Sequence, residues 1–265
     1  MIGNVSLNSG ISNSLNSLKE ISKASEQSQK RLSTGKSVNS VTDNPVKFFN
    51  AVSNLQAADD LNSYKNNISE SIQTMQAANN GVQAISKLAD AAKGIANAAL
   101  LSNDPNERSQ MAQNYNTMVS QMNDLAKDSG YRGTDLLTGG SQTVQTGNQS
   151  SVQIKGFDGT GGAQPAGGNW ATNNDIEASI KQIDTSVGNI RSNTAAMESQ
   201  SSTLSVYQNF NETMANTLKT GAENLTLADM NEEAAKTMMS NTRQQLATTS
   251  LGMASNSAGN VLKMF

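Results

Sequence analysis

Residues 176–204 read IEASIKQIDTSVGNIRSNTAAMESQSSTL, and a single spacing runs through them. Ile176, Ile180, Ile183, Val187, Ile190, Thr194, Met197, Ser201 and Leu204 recur at alternating intervals of four and three residues, and Leu218 keeps the phase two heptads further on. A stripe this narrow, held over so many turns, is the seam of a coiled coil. A seam needs a facing helix, so the flanking sequence has to supply one.

Two candidates precede it. Asn44-Pro45 reads as an N-cap followed by proline at the first helical position, where its missing N–H costs nothing. From there Ile68, Ile72, Met75, Val82, Ile85, Ala89, Ala92, Ala96 and Ala99 stripe a span interrupted by Gly81 and Gly94 alone. About 55 residues at ~1.5 Å each make a helix of ~80 Å. Asp104-Pro105-Asn106-Glu107 repeats the cap-and-proline signal and resembles a capping box. The helix it opens carries Met111, Tyr115, Met118, Met122 and Leu125, and Gly130 closes it.

Between Gly130 and Asn174 the helical period disappears among Gly, Thr, Gln and Ser. Thr143-Val144-Gln145-Thr146 and Val152-Gln153-Ile154-Lys155, separated by Gly147-Asn148, predict a hairpin, with a glycine-rich loop after it. The two ends of the chain are weaker helices. Leu7, Ile11, Leu15, Leu18 and Ile21 form a thin edge that fades through Ser25 and Ser28. A break near Gly221 precedes a last helix from about Asp229, striped by Ala235, Met239, Leu246, Met253, Val261 and Met264.

The expected fold is mainly α: a long-helix coiled-coil bundle rod with a small β-hairpin region, its terminal helices pairing as a second coiled coil. Residues 1–40 with 225–265 form the terminal domain, and 41–224 form the rod with a β-rich tip at about 131–173. The rod core is assigned to Ile68, Ile72, Met75, Met118, Met122, Ile176, Ile180, Ile183, Val187 and Ile190. Leu7, Ile11, Leu15 and Leu18 are expected to face Leu246, Met253, Val261 and Met264, in packing completed between subunits. Leu, Ile, Val and Phe make roughly 18% of the chain, a supply short of the ~20% line for ordinary globular cores.

Composition removes most chemistry. With no His and no Cys there is no imidazole base, no thiolate nucleophile, no disulfide and no zinc or iron–sulfur site. A net charge of −3 without a basic cluster argues against nucleic acid, and no apolar run of 18 residues predicts a membrane span. The first residues lack the basic and apolar regions of a secretory signal. Glu232-Glu233 point about 100° apart on a helix and cannot flank one bond, so they read as charges complementing a helix start. The Gly159-Thr160-Gly161-Gly162 run lacks the Lys-Ser/Thr of a phosphate cradle and is read as a loop. Seam methionines, including Met118, Met122, Met239 and Met253, read as core or interface filler rather than metal ligands. No enzyme activity and no cofactor are expected.

The residues 31–45, Arg31-Leu32-Ser33-Thr34-Gly35-Lys36-Ser37-Val38-Asn39-Ser40-Val41-Thr42-Asp43-Asn44-Pro45, resemble the block near the N-terminus of bacterial flagellins. The stretch from Asn231-Glu232-Glu233-Ala234-Ala235 through Thr242-Arg243-Gln244-Gln245-Leu246 to Val261-Leu262-Lys263-Met264-Phe265 resembles the flagellin C-terminal helix. The hook–filament junction protein of the same superfamily shares the first block and is the alternative; the Val-Leu-X-X-Phe ending is more similar to filament flagellin.

The resemblance implies a subunit that self-assembles into the flagellar filament for swimming motility, with the terminal coil as inner tube and the rod as outer tube. It implies export by the flagellar type III system, hence an extracellular location without a signal peptide. The implied partners are further copies of the chain, the junction and cap proteins, and the export chaperone and apparatus. The chain would be a short form, since about Gly139 to Asn173 stand where many flagellins insert large outer domains. Flagellins sensed by the vertebrate flagellin receptor carry an Arg-rich patch on the long rod helix. The matching stretch here, Gln83-Ala84-Ile85-Ser86-Lys87-Leu88-Ala89, places Ala84 and Ser86 where the arginines would stand.

Overall fold

The computed structural model describes residues 9–262, with side chains from 12 to 256. Among the described residues the order is α1 (Ser9–Thr34), α2 (Pro45–Leu101), α3 (Pro105–Asp128), β1 (Ser141–Gln145), β2 (Ser151–Lys155), α4 (Asn173–Thr226) and α5 (Met230–Leu262). The described residues are mainly α, with one small antiparallel sheet among them. It divides into two compact units, Met1–Ala57 with Thr217–Phe265, and Ala58–Asn216. Helices α2 and α4 each contribute residues to both.

The helix starts follow local chemistry. Asn44 Oδ1 accepts from the Lys47 amide at 3.0 Å, one turn into α2, and Asp104 Oδ1 accepts from the Asn106 amide at 2.8 Å, with Pro105 opening α3. Glu107 does not close the second half of a capping box. It accepts from Ser102 Oγ at 2.6 Å, and Ser102 Oγ in turn takes the Asp104 amide, so a serine two residues upstream does the work expected of the acid.

In the unit Ala58–Asn216 the core is one cluster drawn from three helices and the tip. Ile68, Met75, Met122, Ile176, Ile183 and Ile190 are buried in it, while Ile72, Met118, Ile180 and Val187 pack against it with part of their surface exposed. Small residues recur on the buried edge of α2, from Ala78 through Ala89, Ala92, Ala96 and Ala99, so that larger side chains on the facing helices have room. On α3 the buried positions are Ala112, Tyr115, Val119, Met122 and Ala126. Met111, Met118 and Leu125, read from spacing as members of the seam, lie one position aside and are only partly buried. A helix packed in a multi-helix core buries a face wider than a two-stranded seam, so adjacent positions share the contact.

Strands β1 and β2 pair antiparallel with Val144 opposite Val152, and Val144 and Ile154 turn inward. They run from Ser141 to Lys155, with Thr146 to Ser150 as the turn, a longer connection than the Gly147-Asn148 pair suggested. The turn is anchored to α4, because the buried Asn211 Nδ2 donates to the Thr146 carbonyl at 3.0 Å. Trp170 ends a short turn through Gly168 and Asn169 in left-handed backbone. Its fully buried ring lies 5.1 Å from that of Tyr115, and its indole N–H donates to Ser179 Oγ at 2.9 Å.

Gly81 sits inside α2 without breaking it, since a Cβ there would run into Ser129 and come within 2.9 Å of Leu137 Cδ1; the bare backbone is what lets the end of α3 approach. Gly221, expected to break the chain, is interior to α4, which continues to Thr226. One helical glycine costs only about 1 kcal/mol, and the true break is Leu227–Asp229.

Candidate assembly interface

The unit Met1–Ala57 with Thr217–Phe265 is organised by two loops stitched together. Between α1 and α2, Gly35 adopts a φ of 70°, a left-handed turn that glycine enters freely. Its carbonyl accepts from the Ala228 amide at 3.0 Å, and the amides of Ser37 and Val38 donate to the Thr226 carbonyl at 2.7 and 3.3 Å. Ser37 Oγ lies within hydrogen-bond distance of the carbonyls of Thr226 and Leu227. The same loop is tied internally by Asp43, whose Oδ2 accepts the amides of Asn39 and Ser40 at 2.9 and 3.0 Å. Those bonds, first from the Asn39 amide and then from the Ser40 hydroxyl, hold the Asp43 carboxyl below its ordinary range. The Asn-Ser…Asp spacing in the N-terminal block therefore has a local cause.

This stitching brings the end of α1 beside the start of α5, and the two helices pack antiparallel. Their mutual seam is polar and small. On α1 the buried or half-buried line is Ser14, Leu18, Ile21, Ser25, Ser28 and Leu32; on α5 it is Glu233, Thr237, Ser240, Gln244, Ala247, Leu251 and Ala254. Both lines keep the four-and-three alternation of a coiled coil.

One ion cluster is set into the seam. The Glu233 side chain is 5% exposed, and its Oε1 takes Arg31 Nη1 at 3.2 Å and Lys236 Nζ at 3.3 Å. Burial alone would push the Glu233 carboxyl up. Hydrogen bonds from Ser28, Lys236 and Arg31, with the Lys236 charge, outweigh it and leave the carboxyl below the usual range. Glu232 stays exposed and pairs with Lys236 at 2.8 Å. The adjacent acids thus have different roles, and Glu233 is a cross-helix partner rather than a simple helix-start charge. Spacing gave no signal for this pair, whose members lie 202 positions apart.

The apolar residues assigned to hold α1 against α5 are elsewhere. Leu15 is 53% exposed, Leu246 66% and Met253 62%. Only Leu18 of the described members of that set lies in the α1–α5 seam. The reason is rotational: Ser14 and not Leu15 continues the Leu18 phase, and Ala247 and Ala254 take the seam positions next to Leu246 and Met253. Leu7 and Met264 lie outside the described residues, as do the side chains of Ile11 and Val261. Helix α5 therefore carries a second, outward stripe of Met239, Leu246 and Met253 at seven-residue intervals, flanked by Met238, with no described residue covering it. Ala235, which extends this stripe, is also exposed.

Ala84 and Ser86 are half-buried on α2, with Lys87 exposed beside them. Among the described residues no group of three or more His, Cys, Asp or Glu could hold a metal, and no described helix is long and apolar enough to cross a membrane.

Comparison with known proteins identifies the family. Residues 5–142 match the family described as the bacterial flagellin N-terminal helical region. Flagellin FljM of Caulobacter vibrioides is 23% identical over 270 residues, taking in 100% of this chain and 99% of that protein. Flagellin D of Rhizobium meliloti is 28% identical over 133 residues, 50% of this chain and 31% of that protein. A crystal structure of Bacillus cereus flagellin superposes with a TM-score of 0.48 at 16% identity, over 55% of this chain and 88% of that one. With the match extending over half its length, the chain belongs to the bacterial flagellin family.

Proposed function

We propose that this protein is a subunit of the bacterial flagellar filament, a structural protein whose activity is self-assembly. The observation that carries the reading is the outward stripe of α5. A helix already paired through one edge keeps Met239, Leu246 and Met253 in water along the other, and exposed apolar rows of this kind are covered when copies associate. In this reading the paired α1 and α5 line the inner tube, the unit Ala58–Asn216 forms the outer tube, and Leu7, Ile11, Leu15, Val261 and Met264 join the contacts between subunits. The filament is extracellular and drives swimming; the chain reaches it through the flagellar type III system, with the export chaperone, junction and cap proteins as further partners. Ala84 and Ser86, lacking the arginine donors of the receptor patch, make it a weak agonist of the vertebrate flagellin receptor.

The test is assembly. Leu246→Asp or Met253→Asp places a charge in the contact at a cost of several kcal/mol, and should abolish sedimentable filaments while circular dichroism retains the helical content. Filament yield equal to wild type from both variants would refute the reading. Growth from seeds into long filaments supports a filament subunit; failure to elongate while binding filament ends would point to the junction protein.

A further inference from the structure

The outward stripe is built largely of methionine, and that chemistry has a consequence beyond packing. Met238, Met239 and Met253 are 70%, 50% and 62% exposed, whereas Met75, Met122 and Met197 in the core cluster are 2%, 0% and 4% exposed. The chain has no Cys, so thioethers are its readily oxidised sulfur. We propose that Met239 and Met253, with Met238 beside them, are oxidation sites at which peroxide reversibly blocks incorporation of the free subunit into a polymer. The inference rests on the assembly role given to α5.

The step balances without any group in the protein. The thioether sulfur attacks one peroxide oxygen, the O–O bond breaks, a sulfoxide forms and water leaves; sulfur is oxidised by two electrons and the peroxide reduced. A dithiol-dependent methionine sulfoxide reductase reverses it, taking the oxygen as water and leaving a disulfide on the reductase. The product puts a strongly polar S=O where the stripe offered a flexible apolar group. Two of the three residues at seven-residue intervals are altered at once, leaving Leu246 as the unmodified one. Geometry sets these apart from the core methionines, which are shielded by the same cluster that folds the central unit, while Met214 and Met230, 38% and 44% exposed, lie off the stripe.

The experiment exposes the full-length soluble chain to dilute hydrogen peroxide, maps each methionine by peptide mass spectrometry, and follows seeded polymerisation by sedimentation. Met238, Met239 and Met253 should oxidise well before Met75, Met122 and Met197. The critical concentration for assembly should rise about tenfold or more, and methionine sulfoxide reductase should restore it. The variant Met238→Leu, Met239→Leu, Met253→Leu should assemble before and after peroxide, leucine being close in volume. In finished polymer the Met239 and Met253 thioethers should be protected.

Equal oxidation of core and stripe methionines in the soluble chain would overturn the inference. So would normal assembly of a fully sulfoxidised stripe, or equal peroxide sensitivity in an assembling leucine variant. If the untreated chain forms no polymer under any seeding, the assembly reading itself falls and takes this inference with it. Should the leucine variant fail to assemble, reductase rescue of the oxidised wild type decides alone, and no rescue overturns the proposal.

Discussion

Replacing Arg31 with Ala leaves the Glu233 carboxylate inside the α1–α5 seam with Lys236 as its remaining cation. Two unit charges at the observed 3.2 Å attract by about 5 kcal/mol at an effective dielectric of about 20. Taking the ions out of water offsets most of that. Removing one partner of a fully buried pair costs about 3–5 kcal/mol. The Arg31 side chain keeps 24% of its exposure and Lys236 stays in place, so we expect about 1–3 kcal/mol. In a seam made mostly of Ser, Thr and Ala that is decisive for the pairing of the terminal helices. The central unit does not use the pair. Trp170 is the only tryptophan in the sequence and lies in that unit, so its fluorescence isolates the central transition while far-UV circular dichroism follows every helix. In a urea titration, Arg31→Ala should shift the phase seen only by circular dichroism and move the Trp170 transition by no more than about 0.5 kcal/mol. A double change to methionine at 31 and 233 should recover most of the loss, since apolar replacement of a buried pair is often neutral. The Glu233 carboxyl is held below its unfolded value, so the unfolded chain binds the proton more readily. The contribution is full above about pH 4.3, the unfolded value, and is lost as pH falls through the lower folded one. An unchanged circular dichroism transition in Arg31→Ala, or zero coupling in the double-mutant cycle, would refute the argument.

Other perturbations address the central unit. Gly81→Ala should lower its thermal midpoint, at a cost of about 1–3 kcal/mol, because the new methyl meets Ser129 and Leu137; Trp170 fluorescence melting is the check. Asn211→Ala removes the donor to the buried Thr146 carbonyl and should cost about 1–3 kcal/mol, with faster amide exchange in the hairpin turn as its specific sign. Ala84→Arg with Ser86→Arg should raise the response of reporter cells bearing the vertebrate flagellin receptor. A half-maximal dose for the unaltered chain equal to that of an Arg-bearing flagellin would show that the substituted patch is not limiting.

Much of the architecture was legible in the sequence because helix starts and stripes are local facts. Asn44-Pro45 and Asp104-Pro105 open α2 and α3 through bonds reaching two or three residues ahead. The four-and-three spacing of Ile176 to Leu204 specifies a helical edge whatever faces it. The absence of His and Cys bounded the chemistry without any coordinates. What spacing could not decide was rotation about the helix axis. On α5 two neighbouring lines, Met239-Leu246-Met253 and Ser240-Ala247-Ala254, share one period and differ by about 100°, the turn of a single residue. Hydrophobicity alone favours the first as the partner of α1. The fold places the second there, because Arg31 meets Glu233 and the Gly35–Val38 loop is bonded to Thr226–Ala228, and these contacts fix how α5 is turned. Such contacts join residues about 200 positions apart, so only the tertiary structure could determine which stripe closes the single chain and which stays exposed.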